Sequence, residues 1–293
     1  MLRVLVTGAS SPLGEAVCRS LKQAGSHVTG TVRSARAGWS SPHVDELLVL
    51  DVEDASSFSG IRGGHDAAIH VAAASEGSTA DMMATTGLGT AHLVDRAERA
   101  GIRRIVHVSS MAVYGVVSTP TVSARTPVGH SMPYGAAKWA AECYLADRQH
   151  AVRSVSVRSP AIAGGRTHRH FLARTLRAMQ LGEPAVRVAN PDFAFNNLVH
   201  EDVLADYLVH LAVHTPTTYT AVPVGSTDPM PLREIVETLA STVGYRGGIE
   251  WVTAASTPFA IDSSDAVALG YRPVSTRETV ERWMKDVAAD LNG

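Results

Sequence analysis

A chain of 293 residues, 45% of them hydrophobic, is long enough to bury one large core and a smaller second one. Its 26 basic and 28 acidic residues leave a formal charge of −2 with no long basic run, which excludes nucleic acid as the expected partner and favours a small-molecule substrate. No stretch of about 18 apolar residues occurs, and the N-terminus runs into an apolar strand without a charged and then apolar leader, so a cytoplasmic protein with no membrane partner is expected. In chain order, strand-like runs fall at 2–7, 27–32, 47–50, 66–72, 104–109, 153–158 and 219–224, with helix-period stretches near 13–24, 81–100, 132–150 and 200–213. This alternation predicts an α/β fold, a doubly wound parallel sheet with helices on both faces. Beyond residue 160 the order loosens to a helix-like 171–181 and a short run from Ala185 to Val188. From Pro229, two or three helices are expected around Trp251 and Val252, ending in an amphipathic helix with Val280, Trp283, Met284, Val287 and Leu291. Cys18 and Cys143, both in predicted helices, read as free thiols in packing positions. The 13 histidines are scattered without ligand spacing, so no metal site is expected.

The first strand is followed by Gly8-Ala9-Ser10-Ser11-Pro12-Leu13-Gly14 and an amphipathic stretch. Strand, glycine-bearing turn and helix open a Rossmann-type dinucleotide-binding unit whose helix N-terminus can hold a pyrophosphate. Gly8 and Gly14 take the outer places of GxxGxxG, with Ser10, Ser11, Pro12 and Leu13 between them. Ser11 replaces the middle glycine; its Cβ keeps a phosphate further off, while its hydroxyl and N–H can donate to a phosphate oxygen in return. At the end of the second strand the acid that would accept from a ribose 2′-hydroxyl is absent, and Arg33 is present. That favours NADP(H) over NAD(H), with Ser34 and Arg36 as helpers. Asp51 and Val52 follow the third strand, where a carboxylate can accept from an adenine amino group. His70, Val71, Ala72, Ala73 and Ala74 end the fourth with small residues that let backbone lie close to a ligand. The expected division is therefore a dinucleotide-binding domain of 1–162 with 195–225, and a smaller, interleaved C-terminal substrate lobe of 163–194 with 226–293.

Tyr134 and Lys138 stand four residues apart on a predicted helix, so a phenol that exchanges a proton lies beside a fixed positive charge. An unperturbed tyrosine titrates near 10, and half-ionisation at pH 7 needs a shift of about 3 units, roughly 4 kcal/mol, towards which an ammonium works. Among the few aromatics, Phe171, Phe193, Phe195 and Trp251 are candidates to line a substrate pocket, though core packing is the commoner use of such residues.

These residues resemble the extended short-chain dehydrogenase/reductases, the NAD-dependent epimerase/dehydratase family, over nearly the whole chain. The resemblance is carried by Thr7-Gly8 to Gly14, Asp51-Val52, Asp66 to Ala74, Gly89-Thr90, Ser109 to Gly115, Tyr134 to Lys138 with Glu142, Arg158 to Gly164, Val199 to Val203, and Leu269 to Pro273. It implies that Ser110 orients the reacting oxygen, Tyr134 is the acid/base, and Lys138 holds the nicotinamide ribose and favours the phenolate. It further implies cofactor contacts at Val71, Ala72, Ala73, Pro160 and Ile162, and a homodimer paired through the helices near 81–100 and 132–150. The apolar Leu93, Val94, Ala97, Ala140 and Leu145 on those helices could equally cover the sheet. The departures narrow the chemistry. Dehydratases of the family carry Asp-Glu after the catalytic hydroxyl, where this chain has Met111-Ala112. Sugar-nucleotide epimerases carry an asparagine where Arg158 to Gly164 has none, and an arginine where this chain reads Phe195-Asn196-Asn197. Thr86 replaces an asparagine usual before the Gly-Thr pair. The implied function is transfer of hydride between nicotinamide and a secondary alcohol or ketone carbon, with keto reduction favoured. A sugar-nucleotide epimerase using Arg166, His168, Arg169 and His170 is the alternative, and a non-catalytic cofactor-sensing protein a third reading.

Overall fold

The computed structural model describes residues 1–34, 39–129, 132–164, 170–253 and 258–292. Arg36 and the basic residues Arg166, His168 and Arg169 lie outside them. Seven strands form one parallel sheet: β1 Arg3–Thr7, β2 His27–Val32, β3 Glu46–Val49, β4 Ala67–His70, β5 Arg104–Ser110, β6 Arg153–Ser159 and β7 Thr220–Pro223. Their order is β7-β6-β5-β4-β1-β2-β3. All seven are those expected from the sequence. The chain runs outward from β1 to β3 and then returns to place β4 on the other side of β1. A crevice therefore opens between the C-terminal ends of β1 and β4, the switch point at which such sheets bind ligands.

The longer helices among the described residues are α1 Pro12–Gln23, α2 Gly89–Ala100, α3 Pro133–Asp147, α4 Phe171–Gln180, α5 Glu201–Val213, α6 Leu232–Thr242 and α7 Thr276–Asn292. Helices α1 and α5 cover a sheet face made of aliphatic residues, Val4, Val6, Val28, Ile69, Val106, Val108, Val155 and Val157. Strand alternation puts Leu5, Ala68 and Ile105 on the opposite face, under Leu93, Val94 and Ala97 of α2 and Leu145 of α3. Those four helix residues are at most 1% exposed. They cover the sheet and so are not available as a subunit surface. The same face also buries Thr7, His70, His107, Ser109, Ser156 and Arg158. One side of the sheet is therefore held by hydrocarbon contact and the other partly by hydrogen bonds. His107 Nδ1 lies 3.0 Å from Ser156 Oγ on the neighbouring strand, and Tyr219 donates to that hydroxyl at 3.0 Å.

The helix expected at 81–100 is interrupted. A turn at Thr79–Met82, closed by a Ser78/Asp81 capping box, gives way to a π-helical turn at Met83–Leu88 before α2 begins. A Cβ on Gly89 would sit 2.9 Å from Val52 Cβ, so glycine lets this helix start lie against the segment after β3. The wider turn brings the consecutive Thr85 and Thr86 both into use. Thr85 donates to Glu53 at 2.5 Å, and Thr86 Oγ1 accepts from Ala74 N at 3.1 Å.

A second core joins Leu172 and Leu176 of α4, Ile235 and Leu239 of α6, Val186, Phe195, Leu198 and the fully buried Trp283 of α7. The helices expected around Trp251 and Val252 are present at Leu232–Thr242, Ser264–Ala268 and Thr276–Asn292, and Trp251 and Val252 themselves lie in a strand between the first two. Gly248–Val252 pairs in parallel with Ala185–Ala189, because alternate residues Ile249 and Trp251 pack on this core while Gly248 and Glu250 are exposed. Ala266 and Tyr271 pack into the aliphatic core of the sheet, and the Tyr271 ring lies 5.0 Å from that of Tyr207 on α5. Residues on both sides of the expected boundaries thus cross over, Ala266 and Tyr271 to the sheet, Phe195 and Leu198 to the second core. Phe171, Phe193 and Phe195 form edge-to-face pairs at 5.7 and 6.2 Å, and Arg233 stacks over Trp251 at 4.6 Å. Cys18 is buried, which pushes its thiol up to about 12. Cys143 is exposed, not in a packing position, because it falls on the outer side of α3. Among the described residues no helix is long and apolar enough to cross a membrane.

Candidate active site

The crevice at the switch point is a cleft of about 450 Å³. Of the residues expected to bind cofactor, Gly8, Ser10, Ser11, Arg33, Val52, Val71, Ala72 and Ala73 line it. Gly8 has φ +69°, and a Cβ there would lie 3.0 Å from Ala72 N, so only glycine brings the turns after β1 and β4 this close. A Cβ on Gly14 would lie 2.1 Å from Gly8 O, which fixes α1 against the strand that feeds it. This is a cradle that fits a dinucleotide pyrophosphate.

Ser11 acts differently from expectation. Its N–H and its hydroxyl both donate to Gly8 O, at 3.0 and 2.8 Å, and its Oγ accepts from Gly14 N at 3.1 Å. The side chain closes the turn on itself and caps α1, so its donors do not face a phosphate. Pro12 has no N–H, which leaves the Leu13 amide as the first-turn donor for an anion. Pro160 and Ile162 follow β6, Ile162 in a short strand paired with Val199, and neither lines the cleft. Thr31, Leu50, Ser75, Glu76 and Thr85 line it without having been expected to. Thr31 was legible as the residue two before Arg33; Thr85 was not, because a regular helix does not present it there.

The wall after β4 is held by a directed chain of hydrogen bonds. Thr90 donates to Thr86 O at 2.6 Å, so it accepts from His70 Nε2 at 3.0 Å. His70 Nδ1 then accepts from Thr7 Oγ1 at 2.6 Å, and Thr7 accepts from Ala72 N at 3.3 Å. Burial, aided by the Lys138 charge, pushes His70 down to about 3 and keeps this tautomer neutral.

At the far end of the cleft Arg33 is already paired. Its Nη2 donates to Glu53 Oε1 at 3.0 Å and its Nε lies 3.9 Å from Asp51 Oδ1. Asp51 accepts the Glu53 amide at 3.1 Å through Oδ1 and does not line the cleft.

Ser110 ends β5 and Tyr134 opens α3. A Cβ on Gly135 would lie 2.1 Å from Ala112 O. Glycine after Tyr134 therefore lets α3 rest on the turn Met111–Tyr114 that follows Ser110. Gly135 carries no chemistry, and only the packed helix reveals its part. Ser110 Oγ accepts from Ala112 N at 3.1 Å. Lys138, one turn on, is 1% exposed, donates to Val108 O at 2.5 Å and has its Nζ 5.9 Å from the Tyr134 ring centre. Burial pulls Lys138 down to about 7, against an opposing pull from the Glu142 charge. Its native value lies below the unfolded one, so the cost of burying the ammonium is complete below pH 7 and fades as pH rises towards 10.5. Wild type is accordingly expected to gain stability relative to Lys138→Met between pH 7 and 10. Urea denaturation of both across that range checks it, and a constant difference would contradict it.

Behind these residues Glu142, fully buried, accepts from Ser109 Oγ at 2.5 Å and from Arg158 Nε and Nη2 at 3.1 and 2.7 Å. Arg158 also donates to Tyr114 OH at 2.9 Å, which in turn donates to Ser123 O at 2.8 Å. Burial opposes the Arg158 charge, but the hydrogen bonds and charge of Glu142 outweigh it and raise its pKa.

The model of the NAD-dependent epimerase/dehydratase family matches residues 4–218. The chain belongs to this family. Similar proteins include a dTDP-glucose 4,6-dehydratase of Streptomyces niveus, 28% identical over 48% of this chain and 47% of its own length. The match thus spans about half of that relative. A 2-alkyl-3-oxoalkanoate reductase of Stenotrophomonas maltophilia is 25% identical over 83% of this chain and 76% of its own, and a UDP-glucose 4-epimerase of Azospirillum brasilense 28% over 72% and 68%. In fold the chain is similar to MoeE5 solved with UDP-glucose and NAD, at a TM-score of 0.82 and 20% identity, over 99% of each chain. The protein is a member of an NAD-dependent enzyme family whose relatives include epimerases, a dehydratase and a reductase.

Proposed function

We propose that the protein is an NAD(P)(H)-dependent oxidoreductase of a secondary alcohol and its ketone, working chiefly in the direction of ketone reduction. The observation that carries this reading is the use made of the segment before α5. Phe195 is packed in the second core, and Asn196 gives its amide to the carbonyls of Ser226 and Ile261, at 3.2 and 2.8 Å, and accepts from Ile261 N at 2.8 Å. Where the family's sugar-nucleotide epimerases carry an arginine, these side chains hold the fold together. The turn after Ser110 carries Met111 and Ala112, and no carboxyl for elimination of water.

A bound nicotinamide supplies the carbon that gives or takes hydride. Tyr134 gives its phenolic proton to the ketone oxygen. Ser110, its Oγ already accepting from Ala112, has its own proton to donate to the same oxygen and stabilises the charge that builds there. Lys138 supplies the positive charge that favours the phenolate left behind. Arg33 supports use of NADP(H), with an advantage reduced by the two carboxylates that share it. A homodimer is part of the reading; the exposed Met83 and Leu88, at the start of the α2 run, are apolar groups that the sheet does not cover.

The second reading, a sugar-nucleotide epimerase, is favoured by the identity with the Azospirillum enzyme. The two differ in what they do with cofactor, since a reductase must exchange it and an epimerase keeps it through the cycle. Purified protein is expected to carry far less than one dinucleotide per chain, measured by absorbance after denaturation. Stoichiometric NAD surviving gel filtration would overturn the reductase.

A further inference from the structure

Arg33, Glu53 and Thr85 form one cluster at the end of the cleft. Thr85, buried on the π-helical turn, donates to Glu53 Oε1 at 2.5 Å, and the same oxygen takes Arg33 Nη2 at 3.0 Å. Arg33 Nη2 also lies 3.4 Å from Thr85 Oγ1. Arg33 and Thr85 line the cleft, and Glu53 does not. The carboxylate is therefore positioned by a buried hydroxyl and draws the guanidinium onto that hydroxyl. Asp51, 3.9 Å from Arg33 Nε, adds a second negative charge.

We propose that Glu53 sets the choice between NADP(H) and NAD(H) by competing with a 2′-phosphate for Arg33. This rests on the dinucleotide-binding reading of the cleft given above. Glu53 and Asp51 against Arg33 leave a net charge of about −1 facing a phosphate monoester that carries about −1.5 to −2. An uncharged ribose 2′-hydroxyl meets no such opposition. Arg33 and Glu53 have side chains 61% and 39% exposed, so their pairing adds little to folding and can be changed without loss of the fold. The role of Glu53 is thus one of selectivity.

The test is fluorescence titration of NADH and NADPH onto wild type, Glu53→Gln and Glu53→Ala, with melting temperature as a control on folding. Both variants are expected to tighten NADPH binding about tenfold and leave NADH within about twofold, the size of effect expected from removing one charge near a phosphate at the protein surface. An NADPH-to-NADH affinity ratio within twofold of wild type in both variants would overturn the proposal while leaving the oxidoreductase reading intact. A wild type that binds neither dinucleotide would overturn that reading itself, and the role of Glu53 with it.

Discussion

Replacing Tyr134 with phenylalanine is expected to lower kcat for ketone reduction by about 10²–10⁴-fold, the range for removal of a general acid. Phenylalanine keeps the ring beside the Lys138 Nζ, 5.9 Å from its centre, and keeps the helix start on Gly135. What is removed is the phenolic hydroxyl with its proton. Dinucleotide affinity is then expected to stay within about fivefold, the worth of a single hydrogen bond of about 1 kcal/mol. Stopped-flow single-turnover measurement with a ketone that wild type reduces, together with cofactor titration, separates the two effects. A Tyr134→Phe protein that turns over within tenfold of wild type would remove Tyr134 from the chemistry.

The second large effect is on stability. Glu142→Ala is expected to cost about 3–5 kcal/mol, because it leaves the Arg158 guanidinium, with 5% of its side chain exposed, without its carboxylate partner. Ser109 Oγ loses its acceptor in the same substitution, and Tyr114 loses the fixed geometry of the donor on its phenol. Glu142→Leu combined with Arg158→Met removes both charges and is expected to cost less than the sum of the two single variants. Urea denaturation read by circular dichroism measures each, and a Glu142→Ala loss below about 1 kcal/mol would show that the buried pair is not what holds this corner. The loss reaches the site as well. Glu142 is the charge that opposes burial in holding up the Lys138 proton, so without it Lys138 titrates further below its value of about 7.

The strands and the glycine turn were readable because each depends on a local pattern. Parallel strands buried on both faces write themselves as short apolar runs, and all seven appear in the sheet. Tyr134 and Lys138 were readable because helix spacing alone puts them on one side. What stayed hidden depends on residues far apart in the chain. Ser11 reads as a phosphate donor until Gly8 O is seen to take both of its hydrogens. Arg33 reads as a free cation until Glu53, twenty residues on, is seen to hold it. Thr86 reads as the loss of an asparagine, yet its hydroxyl accepts from Ala74 N and donates to Ala74 O, a two-point hold on the cleft wall. The π-helical turn that makes this geometry available has no hydrophobic period of its own, which is why a single helix was expected across it. The strand at Gly248–Val252 stayed hidden for another reason, since five residues that include Gly248 and Glu250 show no apolar run to mark them.

The hydrogen-bonded face of the sheet has a consequence for how the strands find their partners. Sliding a strand by one residue exchanges its faces and is forbidden by burial, but sliding it by two returns valine to valine and hydrocarbon alone scarcely objects. The polar layer objects strongly. A two-residue slip between β5 and β6 would break the register in which His107 faces Ser156 and Ser109 faces Arg158, and one between β1 and β4 would take Thr7 away from His70 in a dry interior. The aliphatic face supplies adhesion without a preferred alignment. The histidines, serines and threonines act as alignment marks, so that the ends of β1 and β4, and with them the mouth of the cleft, come out level.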